Sequence, residues 1–132
     1  LKVPLAAGDI VAIQQLYARF CNTLDDGEAD AFAACFTSNA TFGGVGTPVQ
    51  GHDALRQFAV GLVGKNMRHV ATGIYIEGDG DQAVGRAYLV AYRGSRPAKL
   101  LATGRYRDKI RRDGGTWRFA ERVFTPDRED AS

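Results

Sequence analysis

Residues 82–93 read Gln82-Ala83-Val84-Gly85-Arg86-Ala87-Tyr88-Leu89-Val90-Ala91-Tyr92-Arg93. Their hydrophobic pattern has period two, the mark of a strand. One face carries Ala83, Gly85, Ala87, Leu89 and Ala91. The other carries Val84, Arg86, Tyr88, Val90 and Tyr92. If the small face turns towards helices, they either approach closely or leave a hollow. The larger aromatic face then needs a second partner, because a monomer rarely exposes such a patch. The competing reading is that the small face is solvated.

Working outward, the same period holds from Met67 to about residue 125, with strands expected at 67–77, 82–93, 98–111 and 116–125. Gly78-Asp79-Gly80-Asp81 and Asp113-Gly114-Gly115 are tight hairpin signals, and Gly94–Pro97 is a further turn. Upstream the period becomes helical. After Asp9, read as an N-cap, Ile10, Ile13, Leu16, Tyr17, Phe20, Cys21 and Leu24 recur at steps of three and four, and Asp26-Gly27 stops the run. Ala29, Phe32, Ala33 and Phe36 suggest a second short helix, and Ala40–Phe42 a short strand. Gly43–Gly51 is a glycine-rich loop lacking the Lys-Ser/Thr of a phosphate cradle and the spacing of a dinucleotide fingerprint. A third helix starts near Asp53, with Leu55, Phe58, Ala59 and Leu62 inward, and ends at Gly64. Three helices followed by an antiparallel meander make an α+β domain with its helices on one face of the sheet.

The 132 residues fit one domain, 1–132, with 126–132 as a polar tail. A net charge of +2 gives no argument for nucleic acid. The run from Arg105 to Arg112 alternates with Tyr106, Asp108 and Ile110, as the wet face of a strand does. No apolar stretch approaches the ~20 residues that cross a bilayer, and no signal peptide is visible. Cys21 and Cys35 sit among apolar helix residues and read as buried free thiols of a cytoplasmic protein. Two cysteines and two histidines lack zinc spacing, so no metal and no cofactor are expected.

Few residues are left to carry chemistry. His52 stands at a loop-to-helix boundary and reads as solvent-facing. His69 lies in an apolar strand, where a histidine is either a satisfied core residue or a functional base. Asp25 ends the first helix, beside its apolar stripe. It is either turn chemistry or a carboxylate that needs a partner. No GxSxG elbow exists, and neither cysteine has an adjacent base.

The ordered set Leu16-Tyr17-x-Arg19-Phe20, Leu24-Asp25-x-Gly27, Phe32-x3-Phe36-Thr37, Arg68-His69, Gly104-x-Tyr106-x-Asp108 and Trp117-Arg118-x3-Arg122 resembles the SnoaL-like group of the nuclear transport factor 2-like superfamily over about residues 9–125. The resemblance implies a cone-shaped α+β barrel, with three helices on a strongly curved sheet, enclosing an apolar pocket, and commonly a homodimer. In the dehydratase and dehydrochlorinase branch, an Asp ends the first helix and a His sits on the first long strand. Those positions match Asp25 and His69. A carboxylate that orients an imidazole and stabilises its cation makes a sensible general base. The pocket would be lined by Tyr17, Phe20, Phe32, Phe58, Leu62, Ala87 and Tyr106. The chain departs from the pattern in two places. Phe20 stands where several relatives have Tyr or Lys, and the second histidine of scytalone dehydratase would fall near Ala87. The expectation is a cofactor-independent lyase or isomerase for a small apolar or polycyclic molecule. The alternative is a non-catalytic ligand-binding module or accessory subunit of the same fold. No nucleic-acid or membrane partner is expected.

Overall fold

A computed structural model describes residues 3–130. The expected tail residues Ala131 and Ser132 lie outside the described residues. Helix α1 spans Ala7–Asp25, α2 spans Ala29–Ala33 and α3 spans Gly51–Gly61. The strands are β1 (Phe36–Gly43), β2 (Val49–Gln50), β3 (Met67–Asp79), β4 (Gln82–Arg93), β5 (Lys99–Asp113) and β6 (Thr116–Pro126). They form one mixed sheet in the order β2-β1-β6-β5-β4-β3. The β3–β6 meander is antiparallel, and β1 joins it by parallel pairing with β6. Helix α1 packs on both β3 and β6, which have two strands between them, so the sheet curls around it. The curl stops short of closure, with β2 and β3 as its edges.

The α1 stripe is buried as its spacing requires: Ile13, Leu16, Tyr17, Phe20, Cys21 and Leu24 all face inward. Asp9 does not cap the helix. The N-cap is Ala6, and Asp9 lies in the first turn. There it accepts hydrogen bonds from Arg112 Nη1 (2.9 Å) and Trp117 Nε1 (3.1 Å), tying α1 to the β5–β6 hairpin. Phe36, expected on the second helix, opens β1 instead.

The small face of β4 is the one that meets the helices. Ala83, Ala87, Leu89 and Ala91 are buried, while Val84, Arg86 and Tyr88 are exposed. Gly85 is required where it stands: a Cβ there would come within 2.2 Å of the Tyr17 hydroxyl. Two irregularities turn side chains that simple alternation would point elsewhere. In β6 the register slips between Phe119 and Glu121 relative to β5, which brings Arg122 to the inner face. In β5 it slips at Leu101, opposite Ala91 and Tyr92.

Candidate functional site

Asp25 is the last residue of α1, and His69 is the third residue of β3. The α1–β3 packing brings them together. Asp25 Oδ1 lies 2.6 Å from His69 Nδ1. The same carboxylate accepts the His69 backbone N–H, at 3.0 Å to Oδ2 and 3.2 Å to Oδ1. The carboxylate thus grips strand and ring together and fixes the ring's orientation. Both side chains are nearly enclosed, at 10% and 8% exposure. With Nδ1 committed, Nε2 is the free nitrogen, and it has no hydrogen-bond partner among the described residues. It is also not sealed in, because the one fully buried side-chain nitrogen or oxygen without a partner among those residues is Arg122 Nη1.

Arg122 was not singled out as a candidate from the sequence. It has no exposed surface. Its Nε donates to Asp108 Oδ1 at 3.0 Å and its Nη2 to Oδ2 at 3.4 Å. The Tyr17 hydroxyl donates to the same Asp108 Oδ2 at 2.5 Å. Four rings surround the guanidinium, with Cζ 3.5 Å from the Tyr106 centroid, 4.3 Å from Phe20 and Phe119, and 5.0 Å from Tyr17. Burial pushes the Asp108 carboxyl up from its ordinary range, against the opposing pull of Arg122 and the Tyr17 hydrogen bond. Burial also pushes the Tyr17 and Tyr106 phenols up. The signal for Asp108 was available, since it shares the inward parity of Tyr106 and Ile110. Arg122 was hidden by the slip in β6.

The expected pocket residues fall into two groups. Tyr17, Phe20 and Phe32 have no exposed surface. Phe20 packs against Phe32 at 5.0 Å, Phe42 at 5.7 Å, and Phe36 and Tyr106 at 5.9 Å between centroids. At these residues the interior is a close-packed aromatic core holding a cation, where the sequence reading expected a hollow. Phe58, in α3, and Leu62, just past its end, are only partly buried and pack against the edge of this core, and Phe58 stacks on Phe32 at 6.1 Å. Ala87 and Tyr106 are buried, and both also border a hollow of about 250 Å³. Larger hollows of about 530 and 540 Å³ lie among outward-facing residues such as Tyr75, Arg107 and Lys109. None of the three is lined by Asp25 or His69.

His52 does not face solvent as expected. Its Nε2 lies 2.8 Å from the Phe36 carbonyl oxygen, a structural bond at the start of α3. Cys21 and Cys35 are free and buried, and burial pushes the Cys35 thiol up to about 11. Among the described residues no group of His, Cys, Asp and Glu is arranged to hold a metal, and no helix is long and apolar enough to cross a membrane.

The profile of the SnoaL-like domain matches residues 6–123. No curated protein sequence matches the chain. Among solved structures, an Asp-to-Asn variant of a Mycobacterium tuberculosis protein of unknown function is 34% identical, with a TM-score of 0.87 over 92% of this chain and 73% of that one. A Nostoc punctiforme protein of unknown function with a cystatin-like fold is 25% identical, with a TM-score of 0.87 over 95% and 96%. A Novosphingobium aromaticivorans protein provisionally described as a scytalone dehydratase is 21% identical, with a TM-score of 0.79 over 91% and 85%, a likeness of fold.

Proposed function

The chain belongs to the SnoaL-like domain family, and on that premise we propose that it is a cofactor-independent lyase of the dehydratase kind, or an isomerase, acting on a small apolar or polycyclic molecule. The observation that carries this reading is the Asp25–His69 contact of 2.6 Å with Nε2 left free. His69 is the general base and Asp25 the residue that positions it. Nδ1–H donates to Asp25, so the Nε2 lone pair is the one available to a substrate. Nε2 takes a proton from a carbon next to an electron-withdrawing group. The C–H electron pair forms the new double bond as hydroxide or halide leaves. In a dehydration the proton on Nε2 then passes to the departing oxygen, giving water. The imidazolium formed in between lies against a carboxylate, which stabilises it.

Arg122 is not placed to touch a substrate: it has no exposed surface and lies inside the packed rings of Tyr17, Phe20, Tyr106 and Phe119. Its Nη1–H is a buried donor without an acceptor among the described residues. The reading is tested with a panel of β-hydroxy ketones and the growth of enone absorbance. Asp25→Asn and His69→Gln should each lose at least ~10²-fold in turnover, the low end of general base catalysis, with unchanged circular dichroism. Variants as active as the native chain would remove the dyad from the mechanism.

A non-catalytic ligand-binding module is the second reading. The hollow beside Ala87 and Tyr106 favours it, because that space is not lined by Asp25 or His69. On either reading we propose a homodimer through the outer sheet face, where Tyr75, Val84, Tyr88 and Val123 are exposed. Light scattering at micromolar concentration should give twice the chain mass, and a monomer would refute it. The free buried thiols are in keeping with a cytoplasmic protein.

A further inference from the structure

The rim beside His69 carries charge that folding does not require. Arg93 ends β4, Lys99 opens β5, and the two stand directly opposite one another across the ladder. On the other side Arg93 pairs with Met67, just as Ala91 pairs with His69. Alternation along β3 and β4 therefore puts Met67, Arg93 and Lys99 on the same face as His69, Ala91 and Ala102, one row further out. Two residues of strand make that step about 7 Å.

Like charges placed directly opposite each other across strands are destabilising. Here both side chains are exposed, so solvent screens the pair without neutralising it. Among the described residues, neither Arg93 nor Lys99 has a carboxylate within 4 Å, and of the unpaired cation pairs that oppose each other across the ladder (Arg86 with Arg107, Arg111 with Arg118, Arg93 with Lys99) this is the one on the face that carries His69. Arg68 adds to the same end. Its Cζ and Nε lie 3.5 Å from where a Cβ on Gly94 would stand, in the turn that joins β4 to β5.

We propose that Arg93 and Lys99 form an anion subsite at the rim of the His69–Asp25 site, which takes a carboxylate, sulfonate or phosphate at the far end of the substrate. One anion between the two cations turns a repulsive pair into a bridged one, with a forked guanidinium on one side and a point charge on the other. The inference rests on the reading of the dyad as the reacting end, and it narrows the substrate class. The molecule has an apolar body with its reacting carbon at one end and an anionic group roughly 7 Å away, about one row of the sheet. An uncharged polycycle would leave the subsite unused.

Two measurements on the full chain test it. The first is thermal unfolding with sodium pyrophosphate against sodium chloride of equal ionic strength. The native chain should be stabilised by pyrophosphate, and the double variant Arg93→Gln/Lys99→Gln should not respond. Arg93→Glu should unfold at a higher temperature than the native chain without added anion, because it turns the like pair into an opposite one. Arg105→Gln, on the outer face, should keep the native response. Absence of a pyrophosphate response in the native chain, or its persistence in the double variant, would overturn the subsite.

The second measurement compares two fluorescent probes that differ by one sulfonate, 8-anilinonaphthalene-1-sulfonate and N-phenyl-1-naphthylamine. At low salt the native chain should bind the sulfonate at least tenfold more tightly. The double variant should bring the two to parity without changing N-phenyl-1-naphthylamine binding. Equal affinities in the native chain would overturn the proposal. If pyrophosphate stabilises the chain but N-phenyl-1-naphthylamine does not bind, it is the pocket reading that fails, and with it the subsite's place in substrate recognition.

Discussion

Removing either member of the buried Asp108–Arg122 pair should have unequal consequences, and the inequality should depend on pH. Both side chains are fully buried, and the cation has no other carboxylate partner among the described residues. Asp108→Asn keeps the shape and leaves the guanidinium without a counter-charge. Arginine cannot lose its proton in this range, so the variant has no escape. Breaking a buried pair in this way costs about 3–5 kcal/mol, a large share of the ~5–15 kcal/mol that holds a typical domain together. Arg122→Met leaves the carboxyl alone, but a carboxyl can take up a proton. Burial already raises the Asp108 carboxyl in the native chain, and loss of the opposing Arg122 charge raises it further. A raised folded-state value means that the native state holds its proton more tightly than the unfolded state does. The stability tied to that proton is present below the unfolded value and is lost as pH rises through the folded one. Arg122→Met should therefore recover stability as pH falls from 8 to 5, by up to about 1.4 kcal/mol per pH unit. Asp108→Asn should show no such recovery. Urea unfolding of the three proteins at four pH values between 5 and 8 decides it. An Asp108→Asn variant as stable as the native chain, or an Arg122→Met penalty that grows on acidification, would refute the reasoning.

Gly85→Ala should destabilise the fold by about 1–3 kcal/mol, the usual cost of overpacking, because the new Cβ would stand 2.2 Å from the Tyr17 hydroxyl and 3.3 Å from Ile110 Cδ1. Thermal unfolding should show that cost shrink in a Tyr17→Phe background, and an unchanged cost would mean that the hydroxyl is not the obstacle. Alkali should unfold the chain early. Cys35 is pushed up to about 11, and the Tyr17 and Tyr106 phenols are raised, all chiefly by burial. Folded values above the unfolded ones stabilise below the unfolded range, about 8.5 for cysteine and 10 for tyrosine, and that contribution fades as pH rises through the folded values. The urea midpoint should hold to about pH 8.5 and fall steadily above it. A flat midpoint to pH 11 would contradict the burial of these groups.

The parts of this fold written in local periodicity were legible. The α1 stripe from Ile13 to Leu24 follows from spacing alone and is buried as read; spacing also divided β4 into a small face and a large one but left open which was solvated, and it is the small one that is buried. The glycine-rich turns separated the strands to within two residues. Features set by long-range pairing were not legible. The parallel β1–β6 contact has no local signature, so β1 was read as only Ala40–Phe42. A one-residue slip in β6 moves Arg122 from the expected outer face to the centre of the core, and alternation counted from Trp117 cannot show it. Asp9 looked like a cap because a cap and a tertiary ion-pair partner use the same residue type at the same place. Asp25 and His69 each had a bland explanation in isolation. Their order within the family resemblance singled them out, and the fold brings these positions, 44 apart in sequence, to 2.6 Å.

The most direct test of the account is the tautomer of His69, read by nitrogen-15 NMR of the imidazole at a pH where the ring is neutral. An Nδ1–H held by Asp25 with a bare Nε2 is what a base facing its substrate must have. The spectrum should show a protonated Nδ1 and an unprotonated Nε2 in the native chain, and Asp25→Ala should let the ring redistribute between its two tautomers. A ring protonated at Nε2 in the native chain would contradict the account, because the nitrogen assigned to take the substrate's proton would already hold one.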